Sequence, residues 1–184
     1  MAVGFIVQAD PKERAAQASE QAKTDEAEHN DVLAKAEAKD VKAFMDVSKI
    51  HSASRSGDTA TLAAGPIHAV FDEKDITIQA GMIAKSVGQA VQEKMAQTTL
   101  KTVVINYQVV LQDKLGRETN DDLMSLSYSV ADLLAAKYDN LSDEAMLDIA
   151  TNVTFTDRGK IEASYWCEAN QEKAMRFCGA LLTS

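Results

Sequence analysis

Residues 98–116 read TTLKTVVINYQVVLQDKLG, and whether they form a helix or a strand decides the fold class. Leu100, Val103, Val104, Tyr107, Val110, Leu111 and Leu115 recur at the spacing of one helical face, with Gly116 placed as a C-terminal stop. Val103, Ile105, Tyr107, Val109 and Leu111 also alternate as the buried side of a strand does. The length of the run and its closing Gly favour helix. The chain built outward from it is mainly α, with α+β as the alternative.

Downstream, Thr119-Asn120-Asp121-Asp122 reads as a cap for a helix whose inner face is Leu123, Leu126, Val130, Leu133 and Leu134. Ser142 caps a shorter helix, and Leu141 and Met146 stand where a hydrophobic staple places them. Residues 153–166 (VTFTDRGKIEASYW) alternate around Asp-Arg-Gly, which predicts a small C-terminal β-hairpin. Asn170 then opens a closing helix with Ala174, Phe177, Cys178 and Leu181 on its apolar face.

Upstream, Ala80, Ile83, Val87, Ala90 or Val91, and Met95 mark a helix over 79–97. Its Ala80, Ala84 and Gly88 form a small-residue strip suited to ordinary internal packing. IHAVF (67–71) and ITI (76–78) read as a short hairpin or as the run-in to that helix. Residues 52–66 (SASRSGDTATLAAGP) have the composition of a linker. The expected organisation is an N-terminal helical arm over 1–51, a linker over 52–66, and a predominantly helical body over 67–184.

The arm opens at Asp10-Pro11-Lys12-Glu13, a cap, a first-turn Pro and a capping-box Glu. From Gln8 to Asp31, 24 residues contain no large apolar side chain, leaving Ala15, Ala18 and Ala22 as a methyl-only stripe. Val32, Leu33, Val41, Phe44, Met45, Val47 and Ile50 then restore an apolar face. One helix over 10–50 would be about 60 Å long, more than the roughly 40 Å width of a compact chain of this size. The rival is a break at His29-Asn30-Asp31 that turns the arm into a hairpin; the single rod is preferred.

Composition narrows the function. The 184 residues carry 28 acids against 19 bases, a net charge of −9, which argues against nucleic acid because such binding needs clustered Lys and Arg. Nine acids and three bases between Asp113 and Asp148 form a solvated surface or a docking face for a basic partner. No stretch has the ~18 apolar residues of a membrane span, and residues 1–7 (MAVGFIV) lack the features of a cleavable signal. The expected location is soluble, either cytoplasmic or reached in a virion or by leaderless secretion. Cys167 and Cys178 are eleven apart, and seven or eight helical residues already span about 11 Å, so two free thiols are expected, which suits a reducing compartment.

Catalytic signatures are scarce. Glu26-Ala27-Glu28-His29 has a Glu-x-x-His spacing without the second copy that a di-iron site needs. No nucleophile elbow, phosphate loop or dinucleotide turn occurs, and His and Cys do not cluster at ligand spacing. Asp75, His68 and Tyr107 are conceivable members of a site formed only in the fold, but no catalytic, cofactor-binding or metal-binding residue is assigned and no cofactor is expected. The leading expectation is a non-catalytic, self-associating assembly subunit of a virion, appendage or secreted filament. Its apolar tip (Met1–Val7) and its helical, coiled-coil type of arm would contact neighbouring subunits, and removal of residues 1–31 would leave a folded monomer. An acidic adaptor, chaperone or inhibitor of a basic client is the alternative, and a small enzyme a further one.

Overall fold

A computed structural model describes residues 11–68, 74–112 and 115–182. The chain is α+β, built on one five-stranded mixed sheet, which corrects the mainly α, coiled-coil expectation. The apolar tip, Met1–Val7, lies outside the described residues. The chain divides into two units, 1–38 and 39–184. A single helix, α1 (Pro11–Met45), runs unbroken through His29-Asn30-Asp31, so the hairpin alternative falls; the expected cap at Asp10 lies outside the described residues. Its 35 residues span about 52 Å at 1.5 Å each.

Residues 52–66 are not a linker. They belong to β1 (Ile50–Ser56) and β2 (Thr59–His68), an antiparallel pair turning at Gly57, whose φ of 61° suits glycine. Helix α2 (Lys74–Lys94) crosses over to β3 (Thr102–Gln112), which runs parallel to β2. β4 (Glu118–Ser129) returns antiparallel to β3, and β5 (Asn152–Phe155) closes the edge. Strand order is β1-β2-β3-β4-β5.

The ambiguous stretch is thus β3, the central strand. Its Val103, Ile105, Tyr107 and Val109 have no exposed surface, while the residues between them are half-buried, so two-residue periodicity prevails where β-branched side chains dominate. The helix expected over 119–134 is likewise mostly strand. Ser125, Ser127 and Ser129 alternate with buried Leu126, Tyr128 and Val130, and only α3 (Val130–Ala135) is helical, capped by Ser129.

The predicted hairpin at 153–166 is one short strand followed by a helix, α5 (Asp157–Asn170). Thr156 Oγ1 accepts from the Gly159 amide at 3.0 Å and starts the helix where a turn was expected. Gly159 is required for packing, because the Leu123 carbonyl occupies the space a Cβ would take. Between β4 and β5 the expected short helix is present as α4 (Asp143–Asp148), with Ser142 accepting from the Ala145 amide at 3.2 Å.

One face of the sheet holds the core. Tyr107 donates to the Ala80 carbonyl of α2 at 3.1 Å and Tyr128 to the Met146 carbonyl of α4 at 3.2 Å. Phe155 meets Phe177 of α6 (Met175–Ala180), which in turn meets Trp166 of α5. The small strip of α2 packs internally, as expected: Ala80 and Ala84 are buried and Gly88 lies against the Tyr138 ring.

Cys167 and Cys178 are joined in a disulfide, with Cα atoms 5.7 Å apart, which corrects the free-thiol reading. The spacing argument fails because the chain reverses between them. A 3-10 turn at Gln171–Lys173 and the non-helical Ala174 fold α6 back on α5. Replacing both cysteines by serine is expected to lower stability by about 3 kcal/mol, the entropy of a closed loop of this size, read from urea unfolding.

Candidate functional site

Each residue singled out in the sequence has a definite place, or lies outside the described side chains. Tyr107 is fully buried, and burial with the neighbouring Tyr128 raises its hydroxyl well above the usual range. His68 ends β2 and Asp75 stands in the first turn of α2; their side chains are outside the described set. Glu26 is exposed on α1, and the side chain of His29 is also outside it. Among the described residues, no group of three or more His, Cys, Asp or Glu is arranged to hold a metal ion.

The acidic stretch is distributed by local need. Asp132, Asp143 and Glu144 occupy first turns of α3 and α4, where backbone amides and the helix dipole favour negative charge. Glu144 is held below the usual carboxylate range by a backbone amide and by Ser142, with Lys173 a lesser cause. Asp148 caps α6, accepting from the amides of Arg176 at 2.6 Å and Phe177 at 3.2 Å. Helix ends thus place four of the nine acids of this stretch.

Two surfaces remain without such an account. The first is on α1, where every side chain from Asn30 to Ala36 is exposed, including Val32 at 64% and Leu33 at 39%. The expectation that Val32 and Leu33 belong to a packed face holds only further on, where Ala43, Phe44 and Val47 enter the core.

The second is the outer face of the sheet, which sequence reading missed. Strand pairing places opposed side chains on the same face, so the register can be read across as rungs. One rung is Ser54, Thr61, Val104, Ser127 and Asn152. The next is Ser52, Ala63, Asn106, Ser125 and Thr154, and a third is Ser56, Thr59, Thr102 and Ser129. None of these side chains is charged, none is buried, and nearly all are small hydroxyls or amides. Three rungs across five strands cover about 13 by 19 Å. A solvated sheet face ordinarily carries polar side chains; three rungs without a charge form a surface on which another element could lie, with a small concavity at Asn106, Ser125 and Thr154 that Asp122 borders.

A concave site of about 480 Å³ also opens beside the disulfide, bordered by Ile161, Cys167, Cys178, Leu181 and Leu182. Its lining is mostly apolar, with Lys160, Ser164, Glu168 and Gln171 also around it.

Comparison with family models, with curated proteins and with solved structures gave no match to this chain.

Proposed function

We propose that the chain is a non-catalytic, self-associating subunit that acts in an oxidising compartment and uses α1 to contact neighbouring copies. The observation that carries this reading is the exposure of Val32 and Leu33 within an exposed run of a 35-residue helix. Apolar side chains displayed on a helix are disfavoured in water, and an identical chain offers the same receptor surface on every copy. The Cys167–Cys178 bridge supports the compartment, since disulfides persist where thiol-reducing systems are absent. This favours the appendage, virion or secreted branch of the earlier expectation over the cytoplasmic one. No described helix is long and apolar enough to cross a membrane.

Light scattering on the full chain, across a concentration series at low and high salt, tests the reading. Mass is expected to rise with concentration and to persist at high salt, because the contact is apolar. A chain that stays monomeric at high concentration overturns it. Capture of a basic client that weakens steeply with salt would support the acidic-adaptor reading instead.

A further inference from the structure

We infer that the contact between copies is heterologous: the Val32–Ala36 segment of α1 in one copy lies on the outer sheet face of another, over Val104 and Ala63. The inference rests on the self-association reading and names the surface that receives the arm.

Three observations lead to it. The described helices that contact the sheet pack on its inner side, through Tyr107, Tyr128 and Phe155, leaving the outer rungs half-buried or exposed. A helix is one of the elements that pack on a sheet face, and a face of about 13 by 19 Å is wide enough to take one. The face also lacks charge, and its only apolar members in the two full rungs, Val104 and Ala63, lie on the adjacent central strands β3 and β2 with hydroxyls and amides around them.

On α1, Val32, Leu33 and Ala36 share one side by helical spacing, whereas Asp31 and Lys35 pair with each other at 2.6 Å beside them. Within Val32–Ala36 that side carries no charge, as the three rungs carry none; Lys39 follows Ala36 one turn on and Asp122 stands beyond the rungs opposite Gln108. The same line runs on through Asp40, which pairs with Arg55, to Ala43, both buried in their own body. Two different patches on one chain make a head-to-tail contact, which grows into a ring or a filament according to the rotation it imposes.

Complementation between two variants tests this. Val104→Lys blocks the face and Leu33→Lys blocks the helix; Ser127→Lys serves as a second face variant should Val104→Lys fail to fold by circular dichroism. Each variant alone is expected to weaken association about 100-fold or more, because a lone ammonium would be buried in the contact. Mixed in equal amounts, the face variant and the helix variant are expected to form a 1:1 dimer and no larger species, since one intact face and one intact helix remain. A mixture that stays monomeric overturns the inference, as does association of the face variants at wild-type strength. Association lost in the face variants but kept in Leu33→Lys would mean that face meets face, and also overturns it. A wild-type chain that never associates would instead remove the self-association reading itself.

Discussion

Asp40→Ala is expected to lower the stability of the body by about 3–5 kcal/mol, the loss seen when one partner of a buried ion pair is removed. The Asp40 and Arg55 side chains are 9% and 5% exposed and pair through Arg55 Nη1 and Asp40 Oδ2. Thr98 Oγ1 donates to the same carboxylate at 2.7 Å, and Arg55 Nη2 donates to Thr99 Oγ1 at 2.5 Å. The cluster joins the last turns of α1, strand β1 and the approach to β3. Without the carboxylate the guanidinium stays in a poorly hydrated place and loses its ion pair with Asp40. Asp46→Ala is the control, because the Lys94–Asp46 pair at 3.1 Å is 44% and 54% exposed and contributes about 0–1 kcal/mol. Urea unfolding measures both, and an Asp40→Ala loss no greater than that of Asp46→Ala would refute the assignment.

Phe177→Ala is expected to cost about 3–5 kcal/mol, through lost transfer energy and the cavity left behind. The ring has no exposed surface and stands edge-on to Phe155 at 5.2 Å and to Trp166 at 6.0 Å. The disulfide and the Asp148 cap still hold α6, so the loss reflects the vacated volume more than detachment of the helix. Trp166 fluorescence should shift to the red as water enters. An unchanged midpoint together with an unchanged spectrum would show that the aromatic cluster is not the keystone of the C-terminal packing.

How much of this was legible depended on the strength of the local signal. The Ser142 cap and the internal use of the Ala80–Ala84–Gly88 strip follow from residue chemistry that acts within one turn. The sheet was misread because its outer positions are Ser, Thr, Ala and Asn, residues that in sequence look like linker or cap. Ser-Leu-Ser-Tyr-Ser at 125–129 alternates cleanly, yet Leu123, Leu126, Val130 and Leu133 also satisfy a helix, and β4 does continue into α3. In β3 both periods were present, and the pairing with strands on both sides decided between them.

The disulfide and the outer face were illegible for a different reason. Each depends on segments meeting in space: a chain reversal at Ala174 for the bridge, and four strand registers for the face. The serines and threonines of the face were visible as a composition, but nothing in their spacing says that they form one plane. The exposure of Val32 and Leu33 was equally out of reach, since their spacing is the same whether or not they are covered.

Strands that lie side by side here are also successive in the chain. During synthesis each new strand therefore emerges next to a neighbour already made, and the longest wait is the crossover from His68 to Thr102. At about 5–20 residues per second that interval lasts roughly 2–7 s, the time for which the growing chain must shelter one raw strand edge before the next arrives to cover it.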